Sequence, residues 1–262
     1  MRLLSSSILK LVRRPATRRS FLLLFAFLAL IYFALGLSSR GAPDASSRAT
    51  IVSMLAFPGA QTGLATMLLI FGGMTGAAYG GAVAGSEWSW NTFRVALTRG
   101  ESRIRYVLGL FVAVALLALI AWIVLFALGV VLILVAGALG GISGGNPVDV
   151  VNLGRLAVLV VSGGWAVLME VAIGFSVAFV ARSAVAGIAA VAGLFFVERF
   201  AELFLSADLL RFAPITAATN LVVTAGKTGL DSGLVLPLAM TTVYLLLAVG
   251  LASVVARRSD VA

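Results

Sequence analysis

Six long apolar runs, separated by shorter polar stretches, set the pattern of this chain. They cover roughly Phe21–Leu37, Phe57–Ala84, Tyr106–Leu139, Leu156–Ala181, Ala184–Leu205 and Val235–Ala256. A helix needs about 20 predominantly apolar residues to cross the hydrocarbon core of a bilayer. The pattern therefore predicts an all-α, polytopic membrane protein with six transmembrane helices. The third run is long for one span and too short for two joined by a turn. It reads as one tilted or extended helix, its excess ending in the glycine-rich Gly137–Gly145 loop. The fifth run closes on Glu198, Arg199 and Glu202, which have to lie at the headgroups or face protein.

Between the runs no polar block is long enough for a soluble domain, so residues 1–262 form a single transmembrane domain. Three polar segments have their own character. In residues 1–19, Leu4, Ile8, Leu11 and Val12 recur at helical spacing, Ser6, Lys10, Arg13 and Arg14 fall opposite, and Pro15 ends the pattern. This predicts an amphipathic helix in the interface with its basic face toward anionic lipid, or a simple basic anchor. A basic stretch of about twenty residues is long for a signal peptide, and no small-x-small site closely follows Leu37, so retention is expected. Residues 206–234 form an outer segment, and residues 86–105 a charged loop between the second and third runs.

Composition agrees and narrows the chemistry. Apolar residues make up 61% and charged residues 11%, with a mean hydropathy of +1.14. Soluble domains carry about 25% charged residues. With no cysteine and no histidine, disulfides, thiol nucleophiles, Cys/His zinc sites and histidine bases are excluded. The net charge of +9 invites a nucleic-acid partner, but the basic residues flank apolar runs instead of forming a free patch, so none is expected.

The same residues orient the chain. With the N-terminus inside, Arg2, Lys10, Arg13, Arg14, Arg18, Arg19, Arg94, Arg99, Arg103, Arg105, Arg182, Arg257 and Arg258 are cytosolic. Arg40, Arg48, Arg155, Arg199, Arg211 and Lys227 are outside. This bias predicts both termini in the cytosol.

Inside the spans, two features carry candidate chemistry. Gly72, Gly76 and Gly80 fall at four-residue spacing, a small-residue face for close helix packing within the chain, for a dimer contact or for sliding during transport. Glu170 lies 12 residues before Arg182, hence near mid-bilayer at about 1.5 Å per residue. A carboxylate there faces a bundle interior or a wet cavity. It is a candidate for a substrate or proton pathway, or for bonding neighbouring helices. Ala225-Gly226-Lys227-Thr228 looks like the tail of a phosphate-binding loop, but Leu221 stands where that motif needs glycine.

The loop at residues 86–105 is the most informative stretch. Glu87 closes the second run, Trp88 and Trp90 suit the interface, and a short helix would put Phe93 and Leu97 on one side with Arg94 toward solvent. This loop resembles the one between the second and third helices of type-2 ABC exporter permeases, the group containing sodium-export and bacitracin-resistance permeases. Those carry an acidic residue, a Gly-Thr pair, Arg and Leu, then a small residue or Pro and Ser-Arg. The matching positions are Glu87, Asn91–Thr92, Arg94, Leu97, Gly100 and Ser102–Arg103, with Asn91 in place of the glycine. The Pro-containing segment Arg211–Asn220 before the last run also resembles the family, in which it forms short re-entrant helices.

The resemblance implies a permease subunit in the cell membrane that pairs with a second permease subunit, identical or different, and rests on a separate cytosolic ATPase. Glu87, Trp88, Asn91, Thr92, Arg94, Leu97 and Arg99 would form the coupling helix that contacts the ATPase. ATP and magnesium would bind the partner, so this chain would be no enzyme and hold no cofactor or metal of its own. Two readings of other classes stand beside it. One is a secondary transporter driven by an ion gradient through Glu170. The other is a membrane scaffold without transport.

Overall fold

A computed structural model describes residues 11–41, 44–143, 145–146 and 149–258. Among these residues all regular structure is helical, and six helices are long and apolar enough to cross a membrane. The first span is α1 (Pro15–Arg40), followed by the short α2 (Ala45–Leu55). The second span, Gly59–Ser89, is continuous but not uniform: α3 (Gly59–Met67), a π-helical stretch (Leu68–Gly73) and α4 (Met74–Ser89). After the short α5 (Thr92–Thr98) come the third span α6 (Arg103–Gly140), the fourth α7 (Val150–Ala181) and the fifth α8 (Ala184–Ala201). Between the fifth and sixth spans lie α9 (Ala207–Leu210) and α10 (Pro214–Thr228), and α11 (Val235–Arg258) is the sixth span.

The ends of these helices follow from local chemistry. Arg14, the residue before Pro15, is extended, as the proline ring demands, so a turn through Leu11 and Val12 ends there and α1 starts afresh. Leu4, Ser6, Ile8 and Lys10 of the expected interfacial helix lie outside the described residues. The third run is indeed one helix of 38 residues. It continues through Gly137 and stops when Gly141 turns left-handed (φ 66°), with Ile142 N–H returning to Gly137 O at 2.9 Å. That is a Schellman cap, which satisfies carbonyls the helix end leaves open. α8 ends at Ala201, short of the expected Leu205, because residues 203–205 wind into turns back to Phe200 and Ala201. On α2, the Ser47 backbone N–H at 2.6 Å holds the capping Asp44 carboxyl below its usual range.

α7 is the hub. It packs against α4, α6, α8, α10 and α11, whereas α1, α8 and α11 leave most of their surface uncovered. In a membrane no water drives helices together, so contact rests on close packing. A Cβ on Gly81 would lie 3.1 Å from Gly187 Cα, and one on Gly187 would lie 2.5 Å from Gly174 O. Three glycines thus allow α4, α7 and α8 to meet backbone to backbone. At the far end, α1 and α6 meet the same way: a Cβ on Gly36 would lie 2.7 Å from Ala136 O, and Ser39 Oγ donates to Gly36 O at 2.7 Å and Gly140 O at 3.3 Å.

Candidate functional site

The charged loop folds into a small helix on an aromatic seat. α4 ends at Ser89, and Asn91 then adopts left-handed backbone (φ 54°, ψ 18°) before α5 begins at Thr92. Asparagine is one of the few side chains that visits this region readily. Asn91 therefore makes a turn that a glycine would also make. Asn91→Gly is expected to leave the loop unchanged. Asn91→Val should loosen α5 by about 1–2 kcal/mol, read as faster hydrogen exchange at the Phe93–Leu97 amides. Equal exchange in all three forms would show that the turn is held by something other than residue 91.

Glu87 is fully buried at the end of α4. Burying a carboxylate is costly unless donors surround it. Thr92 Oγ1 donates to its Oε2 at 2.5 Å, and the Tyr106 hydroxyl donates to the same oxygen. The carboxylate thereby ties the last turn of α4 to the first residue of α5 and to the start of α6. Phe93 is fully buried beside it, with ring centroids 5.0 Å from Trp88, 5.5 Å from Phe179 and 5.7 Å from Tyr106. Arg182, left-handed at the end of α7 (φ 53°), lays its guanidinium over Trp88 at 4.5 Å. Arg14 lies over Trp90 at 5.1 Å. Gly100 (φ 84°) closes α5, and Arg103 donates to Arg257 O at 3.0 Å.

The outer face of α5 is left bare. Arg94, Val95 and Arg99 are exposed, while Leu97 turns in toward the core. The sidedness expected from spacing is therefore present: Phe93 and Leu97 in, Arg94 out. Tyr106, Phe179 and Arg182 were not singled out in the sequence, and Arg14 was expected on a basic face toward lipid, not over Trp90. None shares a helical period with Glu87 or Trp88, so no pattern along the chain points to them.

Glu170 lies on the same central helix, deep in the bundle and 2% exposed. Its carboxylate packs on the π-helical stretch opposite, where a Cβ at Gly73 would collide with it. Its Oε2 is buried with no hydrogen-bond partner. Glu198, which also faces protein, is used differently. It accepts from Ile215 N–H (2.9 Å), Thr216 N–H (2.8 Å) and Thr216 Oγ1 (2.9 Å). A carboxylate at the N-terminus of α10 satisfies open amides and meets the positive end of the helix dipole. Its neighbours Arg199 and Glu202 pair with each other at 2.7 Å on the exposed side. Lys227 and Thr228 lie in the last turn of α10, so Ala225–Thr228 is helix and not a phosphate-cradling loop.

Of the glycine series, Gly76 and Gly80 face Val171 of α7, where a Cβ would lie 3.1 and 3.3 Å away. Gly72 faces Leu24 of α1 at 3.4 Å. No cluster of His, Cys, Asp or Glu among the described residues is placed to hold a metal ion.

The fold and this loop define a multi-pass α-helical membrane protein with one short surface helix clamped to the end of its second span. Compared with models of known protein families and with the curated proteins, the chain matches none.

Proposed function

We propose that this chain is the membrane-spanning permease subunit of an ATP-driven exporter, coupled to a separate cytosolic ATPase through α5. The observation that carries the reading is the build of that helix. Seven residues are clamped at the end of a 31-residue span by Glu87, seated on Phe93 and Trp88, and turned so that Arg94, Val95 and Arg99 face outward. A free surface loop has no need of a buried carboxylate and an aromatic seat. A lever does, because a push on α5 has to reach the spans without being absorbed by the loop. Glu87 and Tyr106 pass it to α4 and α6, and Phe179 and Arg182 pass it to α7.

The other features of the reading follow from the same resemblance. A second permease subunit, identical or different, completes the pathway, and both termini face the ATPase side. ATP and magnesium belong to the partner. An ion-driven transporter is the second reading, favoured by the unpartnered buried oxygen of Glu170.

The test is gentle affinity purification from the native membrane with companions identified by mass spectrometry. A stoichiometric soluble protein with an ATP site is expected. Arg94→Ala should lower its recovery at least about fivefold with expression retained, the effect of losing one good interface contact. Recovery of the chain alone, repeated under crosslinking, overturns the reading and makes Glu170 the next residue to test.

A further inference from the structure

A cavity of about 520 Å³ lies between α1, the π-helical stretch with α4, α6 and α7. Its body is carbon: Phe21, Leu24, Leu68, Leu117, Ala121 and Trp122 are among its walls. Its cause is legible in the packing. At their far ends α1 and α6 touch through Gly36, Ala136 and Gly140. Nearer the α5 side, α6 presents Ala118 and Ala121 and the second span presents Gly72 and Gly76. Small side chains there leave the space between the helices unfilled. Leu22, Ile120 and Val124 at the rim are exposed, so the cavity opens sideways.

The mouth is of another chemistry. Thr17, Arg18 and Tyr79 line it on the α5 side, with Thr17 Oγ1 and the Tyr79 hydroxyl 2.8 Å apart. Arg18 is exposed. Arg14, one turn before it, lies over Trp90 and has its Nη2 buried without a hydrogen-bond partner. From Tyr79 to Leu68 the cavity follows the second span for eleven residues. At about 1.5 Å per residue that is about 16 Å, close to half of the roughly 30 Å hydrocarbon core.

We propose that this cavity holds one acyl chain of an anionic phospholipid from the leaflet on the α5 side. Water has too few polar partners in the body to fill it, and the depth is that of a single leaflet. The Arg18 guanidinium at the mouth suits a phosphate, an anion with several acceptor oxygens. The assignment stands on the membrane class of the chain and not on the ATP-driven reading.

Native mass spectrometry of the purified full-length chain, titrated with phosphatidylglycerol or phosphatidylcholine of identical acyl chains, tests it. Wild type is expected to retain one phosphatidylglycerol and to prefer it over phosphatidylcholine. Ala121→Phe, which puts a ring in the body, should lower retention at least about tenfold. Arg18→Gln, a change at an exposed position that leaves folding intact, should keep the acyl site but cut the preference about fivefold. Equal retention of the two lipids by wild type overturns the proposal. So does an unaltered preference in Arg18→Gln, or a tightly held apolar compound that is not a phospholipid.

Discussion

Glu87→Ala is expected to release α5 from the bundle without preventing insertion of the chain into the membrane. Two hydroxyls, Thr92 Oγ1 and Tyr106, lose their charged acceptor at once. Hydrogen bonds to charged groups contribute about 1.5–3 kcal/mol each, and Thr92 keeps only its longer bond to the Glu87 backbone carbonyl at 3.3 Å. The spans themselves are unaffected, because their stability rests on packing away from the loop. The loss therefore appears as local opening. Trypsin cleavage at Arg94 and Arg99 in the detergent-purified protein should accelerate at least about tenfold, the factor that about 1.4 kcal/mol gives. Glu87→Gln should fall between, since its amide oxygen can still accept both hydroxyls but is the weaker acceptor. If α5 is the coupling element, transport falls in the same order. Cleavage at the wild-type rate in Glu87→Ala would show that the aromatic seat alone holds the helix.

Gly174→Leu should have the larger effect on folding. A Cβ at residue 174 would overlap the carbonyl oxygen of Ala77 and sit 3.1 Å from its Cα. The obstacle is backbone, which cannot swing aside as a side-chain tip can, so α4 and α7 have to separate. Gly187 of α8 packs onto Gly174 O and Gly81 at the same junction, so α8 is displaced as well. Overpacking typically costs about 1–3 kcal/mol, and three helices share the damage here. A fall in the midpoint of thermal unfolding in detergent, with loss of monodisperse protein, is the expected readout. Gly109→Leu and Gly193→Leu are the controls, since a Cβ at either meets nothing within 4 Å. Both should remain folded. If they were as damaging as Gly174→Leu, helix propensity or membrane insertion would be the cause, and not the three-helix contact.

The two variants probe different layers of one design. The glycine junction fixes how α4, α7 and α8 sit relative to one another, and the Glu87 cluster fixes α5 onto the end of that unit. Phe179, in the last turn of α7, and Arg182, just past its end, attach that cluster to α7. The helix that carries Arg94 is thereby attached to the most buried span of the bundle. Glu170 sits on that same helix against the π-helical stretch of the second span. A π-turn already departs from the regular α-helical ladder, which makes Leu68–Gly73 a natural place for the second span to bend around the carboxylate.

What the chain alone determined is local in origin. Six spans were legible because crossing a bilayer is a property of each stretch separately: about 20 apolar residues with their backbone bonds satisfied within the helix. The surface helix was legible for the same reason, as a polar interval between two apolar runs with Phe93 and Leu97 at helical spacing. The Schellman stop at Gly141 and the break before Pro15 are likewise written in single residues. The tertiary structure alone decided which groups meet. Tyr106 reaches Glu87 across 19 residues, Arg182 covers Trp88 from another span, and Glu198 caps a helix that starts 16 residues later. In a membrane helix that is apolar on every side, no periodic stripe marks the face that packs. Rotation and crossing are then settled by where backbones can approach, at Gly81, Gly174 and Gly187, and every contact of Glu87, Glu170 and the lipid-facing cavity follows from that choice.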